Sequence, residues 1–209
     1  MEVVIIKTGS ANLASVMAAF ARLGIGARLT DRAGEVTDAP LVVLPGVGAF
    51  GPAMATLRGN GLVDSIADRV ERGRPLLAIC LGMQLLCEAS EESPGERGLG
   101  VVPGIVKRFA ATLRVPQMGW NAIEPDEAAA VLEAATVYFA NSYRLATVPP
   151  LSSGWATAMC CYGEQFVAGV ERGPVLACQF HPELSGPAGR SLLQRWLAAC
   201  GAGKVGVAC

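Results

Sequence analysis

Chemistry in this sequence concentrates in three short stretches. The first is Leu76-Leu77-Ala78-Ile79-Cys80-Leu81-Gly82-Met83-Gln84. An apolar strand runs into a cysteine and a helical pattern starts at once, the layout of a nucleophile elbow. The tight turn predicts crowding between the positions two before and two after the nucleophile. Those positions hold the small residues Ala78 and Gly82. Free N–H groups of a starting helix beside the sulfur favour thiolate, the reactive form. For Cys80 taken alone, a buried core thiol is the plain alternative.

The second stretch is Val175-Leu176-Ala177-Cys178-Gln179-Phe180-His181-Pro182-Glu183, which carries the chain's single histidine. A cysteine nucleophile needs a base, and the base an orienting group. His181 emerges at the end of an apolar run, and Pro182 keeps it out of helical geometry. In an extended segment residues two apart share a side, so Glu183 is predicted to reach the His181 ring. The third stretch is Pro45-Gly46-Val47-Gly48-Ala49-Phe50-Gly51, a glycine-rich turn after a core strand. It lacks both G-x-G-x-x-G and the Walker lysine, so a phosphate cradle is a poor fit. Its N–H groups suit an oxyanion instead, because neighbouring strand ends converge on one crevice.

The elements that must carry these groups alternate along the first half. Val3–Ile6, Leu41–Leu44 and Leu76–Ile79 are apolar runs of the kind buried on both faces of a sheet. Helical patterns follow Asn12 (Leu13 to Leu23), span Leu62 to Arg72, and run from Leu81 to Ala89. Glu91–Gly100 is polar and glycine-rich, hence a loop. In the second half, strands are predicted over Val101–Phe109, Arg114–Ile123, Thr136–Ala146, Trp155–Cys161, Phe166–Val170 and Val175–Phe180. A final helix spans Pro187 to Cys200, and Gly201–Cys209 reads as a frayed tail. The expected fold is α/β: a doubly wound, mostly parallel sheet with added antiparallel strands, in a single domain over residues 1–209.

Composition narrows the function class. Of 209 residues, 52% are hydrophobic and 17% charged, which argues against disorder. No apolar run reaches the roughly 18 residues of a membrane span. The net charge is −1 with no basic tract, so no nucleic-acid partner is expected. Cys80, Cys87, Cys160, Cys161, Cys178, Cys200 and Cys209 form no C-x-x-C pair, and with one histidine a zinc site is poorly supported. Neither a metal nor a cofactor is expected. The thiols fit small buried hydrophobes in a reducing cytoplasm. Adjacent Cys160 and Cys161 would face opposite sides of a strand.

These motifs resemble class I, triad-type glutamine amidotransferases, whose fold is flavodoxin-like. Within that family they are most similar to the glutaminase subunits of imidazole glycerol phosphate synthases. The resemblance rests on Gly9-Ser10-Ala11-Asn12-Leu13, Leu44-Pro45-Gly46-Val47-Gly48-Ala49-Phe50, Ile79 to Leu86, Gly98-Leu99-Gly100, Val115-Pro116-Gln117-Met118-Gly119-Trp120-Asn121 and Gln179 to Glu183. It implies that Cys80 attacks the side-chain amide of L-glutamine, with His181 and Glu183 completing a triad. It implies an oxyanion and glutamine site at Gly46, Val47, Gly48, Leu81, Gln84, Asn141, Ser142 and Tyr143. It places Asn12, Trp120 and Asn121 towards a (β/α)8-barrel cyclase subunit, which takes the ammonia in a heterodimer. A buried core tryptophan is the alternative for Trp120. Lys7-Thr8, Ala78, Gln117 and Asn141 depart from the family pattern. They keep open a glutaminase that feeds another synthase; a non-catalytic relative is the remaining alternative.

Overall fold

The computed structural model describes residues 1–9, 12–146 and 153–201. Ser10 and Ala11 of the first motif, Cys209, and the tail from residue 202 lie outside the described residues. The first half alternates: β1 (Glu2–Ile6), α1 (Leu13–Ala21), β2 (Gly26–Thr30), α2 (Ala33–Asp38), β3 (Val42–Leu44), α3 (Phe50–Gly59), α4 (Val63–Glu71), β4 (Leu76–Ile79) and α5 (Leu81–Leu86). The second half is strand-rich: β5 (Ala89–Ser90), β6 (Ile105–Arg108), β7 (Gln117–Pro125), β8 (Ala135–Asn141), β9 (Tyr143–Leu145), β10 (Ala156–Cys161), β11 (Gln165–Arg172) and β12 (Val175–Cys178). A 3₁₀ turn, Pro182–Leu184, leads into α6 (Gly186–Ala199).

One sheet runs through the molecule in the order β2-β1-β3-β4-β12-β11-β10-β7-β8. The strands from β2 to β12 pair in parallel. From β11 onward the pairing is antiparallel. Side chains alternate across a strand, so each buried strand feeds two cores. Val3, Ile5, Val43, Leu77 and Leu176 pack on the face covered by Val16 and Phe20 of α1 and by Leu192, Leu193 and Trp196 of α6. Val4, Ile6, Val42, Leu44, Leu76 and Val175 pack on the other face, against Met54, Leu57, Ile66, Val70 and Leu85. That is the doubly wound arrangement expected from the apolar runs.

Several boundaries differ from the sequence reading, each for a local reason. The strand β2 and the helices α2 and α3 were not expected. β2 reads Gly-Ala-Arg-Leu-Thr and sits at the sheet edge, so it shows no buried apolar run. α3 contains Gly51, Pro52 and Gly59, all poor helix formers. Packing of Phe50, Met54 and Leu57 overrides that preference. The helix after Cys80 ends at Leu86 rather than Ala89, because Cys87 turns extended and Ala89–Ser90 pairs with β6. The run Thr136–Ala146 splits at Ser142, β8 pairing with β7 and β9 with β6 and β11. The expected strand Val101–Phe109 shrinks to Ile105–Arg108, after Pro103 and Gly104. The expected strand Val175–Phe180 stops at Cys178.

A buried cation ties down the end of the sheet remote from Cys80. Arg69 on α4 is only 1% exposed. Its guanidinium donates to the carbonyls of Pro75 (2.8 Å), Val36 (2.7 Å), Ala39 (2.6 Å) and Pro40 (3.1 Å). One side chain thus fixes the entry to β4 and the exit from α2. Arg69→Met keeps the apolar stem but leaves these carbonyls without their donor. Urea unfolding of that variant is expected to show a loss of about 2–4 kcal/mol.

Candidate active site

Cys80 occupies the one-residue link between β4 and α5. Its backbone sits at φ 52°, ψ −110°, and it is the one non-glycine residue with positive φ among the described residues. Such a conformation costs on the order of 1–3 kcal/mol and persists only where the surroundings enforce it. The enforcing contact is with β3. A Cβ on Gly82 would lie 2.0 Å from the Leu44 carbonyl oxygen. The small residue at this position is therefore required by the neighbouring strand, not by Ala78 as the turn spacing predicted. Gly46 plays the matching part from the other side, since a Cβ there would meet Leu81 Cβ at 2.8 Å. Gly46 is a buried spacer outside the cleft lining, and it lets Val47 and Gly48 approach the start of α5.

His181 follows β12, which pairs in parallel with β4 so that Cys178 lies beside Ile79. The His181 N–H donates to the Tyr138 carbonyl at 2.9 Å, and the Ser185 hydroxyl donates to the His181 carbonyl at 2.7 Å. The ring Nδ1–H donates to Glu183 Oε1 at 2.8 Å. Glu183 reaches the ring from a 3₁₀ turn, not from the extended segment expected. Pro182 opens that turn, and the Leu184 N–H closes it on the His181 carbonyl at 3.1 Å. Both residues are buried, at 5% and 8% exposure.

The electrostatics favour an ion pair. Burial disfavours the charged imidazole, but hydrogen bonds to Cys80 and Glu183, with the negative charges of both, outweigh it. The net effect raises His181 to about 10. Burial pushes the thiols of Cys87, Cys160 and Cys200 the other way, up to about 12, and that of Cys178 well above its ordinary value. Those thiols stay protonated and inert. Cys160 is core and Cys161 exposed, as strand alternation predicted.

A cleft of about 170 Å³ opens over the sulfur, lined by Val47, Gly48, Cys80, Leu81, Gln84, Glu92, Pro116, Ala140, Asn141, Ser142 and Tyr143. It is smaller than the roughly 300–1,000 Å³ typical of drug-sized ligands, and it suits a small, polar molecule. Seven of the expected residues besides Cys80 meet there. Glu92 and Pro116 were not singled out from the sequence. Glu92 Oε2 also accepts the Phe50 N–H at 2.8 Å, and Ser93 Oγ accepts the Gly51 N–H at 2.9 Å. The polar loop thereby caps α3 and closes one wall. Gln179 was also passed over, although it is fully buried and its Nε2 donates to Cys80 Sγ at 3.6 Å. Only the position of a glutamine inside an apolar strand end hinted at it.

The three expected partner-facing residues lie elsewhere on the surface. Asn12 caps α1 by accepting the Ser15 N–H at 3.4 Å. Asn121 is half-buried and accepts from Gln117 Nε2 at 3.0 Å. Trp120 is 54% exposed and stacks edge-on with Tyr138, so it is not the core tryptophan that stood as its alternative.

A family model described as glutamine amidotransferase class-I matches residues 9–200. The chain belongs to the class-I glutamine amidotransferases. Among relatives of this amidotransferase, the imidazole glycerol phosphate synthase subunit HisH of Thermus thermophilus is 45% identical, over 92% of this chain and 95% of its own. The HisH subunit of Moorella thermoacetica is 42% identical over 93% of both chains. The chloroplastic imidazole glycerol phosphate synthase hisHF of Arabidopsis thaliana is 41% identical, but the chain spans 34% of that protein's length. Solved structures share the fold. One described as a glutamine amidotransferase superposes with a TM-score of 0.75 at 24% identity, covering 95% and 98% of the two chains. PurLQS from Thermotoga maritima superposes with a TM-score of 0.70 at 17% identity, covering 94% and 97%.

Two outcomes test this geometry. Gly82→Ala drives a methyl into a main-chain oxygen that cannot move aside; urea unfolding should show about 3 kcal/mol of lost stability. The raised His181 sets the second. As pH rises through about 10 the imidazole loses its proton, and any turnover that needs it as an acid should fall. Glu183→Gln removes a charge that raises His181. The alkaline fall in kcat/KM should then come at lower pH.

Proposed function

We propose that the chain is the glutaminase subunit of an imidazole glycerol phosphate synthase of histidine biosynthesis. The observation that carries the reading is the meeting of Cys80, His181 and Glu183 at the mouth of a small polar cleft. The printed names of its relatives at 40–45% identity support the pathway.

The chemistry follows from the groups present. Cys80 Sγ, paired with the His181 imidazolium, attacks the side-chain carbonyl carbon of L-glutamine. The developing oxyanion is met by N–H groups of Gly48 and Leu81, near Val47. His181 then protonates the departing nitrogen and the C–N bond breaks. Ammonia leaves, and a γ-glutamyl thioester remains on Cys80. His181 next takes a proton from water, which attacks the thioester and releases glutamate. Glu183 holds the ring and its charge throughout. Gln84, Glu92 and the Asn141-Ser142-Tyr143 segment hold the amino acid.

The ammonia has a destination in this reading. A (β/α)8-barrel cyclase docks as the second subunit and consumes it, in the cytoplasm. Met118 (67% exposed), Trp120, Leu184 (40%) and Val47 (37%) are the apolar side chains near the cleft and β7 that such a contact would cover. Among the described residues no helix is long and apolar enough to cross a membrane.

Glutamine turnover measured with and without the cyclase tests the proposal. Release of glutamate is expected, rising when the cyclase is added. Cys80→Ala should lower it by at least about 1,000-fold. Turnover surviving that substitution would reject the mechanism, and failure to complement a histidine auxotroph alongside a cyclase would reject the pathway.

A further inference from the structure

We propose that Gln179 is a positioning residue for the nucleophile: its side-chain amide is a fixed donor to Cys80 Sγ and holds the sulfur as thiolate. The proposal rests on the glutaminase reading and adds a residue to it.

The orientation of the amide follows from its neighbours. Gln84 Nε2 lies 3.0 Å from the Tyr143 carbonyl oxygen. A carbonyl only accepts, so this atom of Gln84 must be the NH2 end. The same Nε2 lies 2.9 Å from Gln179 Oε1. Gln179 must therefore present its oxygen to Gln84, and its NH2 to whatever lies on the other side. What lies there is Cys80 Sγ, at 3.6 Å. One main-chain carbonyl thus orients two buried amides in series, and the last N–H points at the sulfur.

Placement makes this donor hard to replace. Gln179 is fully buried, and its own N–H is held by the Ala168 carbonyl at 2.8 Å. Water does not compete for the amide, and no reorganisation is needed when charge appears on sulfur. His181 must release and regain a proton in each half-reaction. Gln179 keeps its protons throughout, so the sulfur retains one donor while the ring is busy elsewhere. Donation to an anionic acceptor is stronger than to a neutral thiol, so the contact favours the charged form.

The test is the pH dependence of iodoacetamide alkylation at Cys80, read by peptide mass spectrometry on the full chain. Exposed Cys161 is scored separately and serves as an internal control. Gln179→Met keeps the length and removes the donor. Gln179→Glu keeps an acceptor for Gln84 and presents oxygen to the sulfur instead. Both are expected to move the midpoint of Cys80 alkylation to higher pH, Met by about one unit and Glu by more, with Cys161 unchanged. In the glutamine assay kcat should fall on the order of tenfold or more, with KM altered less. If Gln179→Met does not fold, Gln179→Glu decides, because it preserves both shape and the Gln84 bond. Folded variants whose midpoints match the parent would overturn the proposal. That result leaves the glutaminase reading intact, which instead fails if the parent chain shows no Cys80-dependent glutamine turnover.

Discussion

Everything at the cleft depends on the parallel register of three strands. Leu44 of β3 lies beside Ala78 of β4, and Ile79 of β4 lies beside Cys178 of β12. The strands therefore end level with one another. Three otherwise separate pieces of chain emerge at one edge: the Pro45–Gly48 turn, the Cys80 link, and the segment from Gln179 to Glu183. A slip of one residue in any of these pairings would turn each side chain to the opposite face. The two apolar cores, which draw alternate residues from the same strands, make such a slip expensive. The hydrophobic pattern that stabilises the fold is also what aligns sulfur with imidazole.

Held in this way, the site can afford a strained residue. Cys80 adopts a backbone conformation that a cysteine avoids, and Gly82 and Gly46 show why it cannot relax. The Leu44 carbonyl closes one side of the turn and Leu81 closes the other. Strain in the main chain and charge on the side chain are carried by the same residue. Both are sustained by neighbours that take no part in bond making.

The legible parts of the sequence were those governed by short-range rules. Buried parallel strands announce themselves as unbroken apolar runs, and β1, β3, β4 and β12 were all visible in that form. A cysteine between a strand and a helix, and a histidine before proline and glutamate, were visible for the same reason. The geometry behind two correct residues was less visible. Glu183 was chosen by extended-chain alternation and arrives by a 3₁₀ turn. Gly82 was chosen for crowding within its own turn and is crowded by β3. What stayed hidden depends on long-range placement: the edge strand β2, the helix α3 made of poor helix formers, and the contacts of Glu92 and Gln179. Periodicity along a chain does not report which amide faces which sulfur when their positions lie 99 residues apart.

The division of the thiols has a consequence for how the protein ages. Cys87, Cys160, Cys178 and Cys200 are held protonated by burial, and so resist air and peroxide. The sulfur in the cleft is paired with a cation and open to small molecules, and Cys161 is open to solvent. Oxidants will therefore spend themselves on one surface thiol and on the nucleophile. A stored sample would lose its chemistry while its cores, and every optical signature of folding, stayed intact.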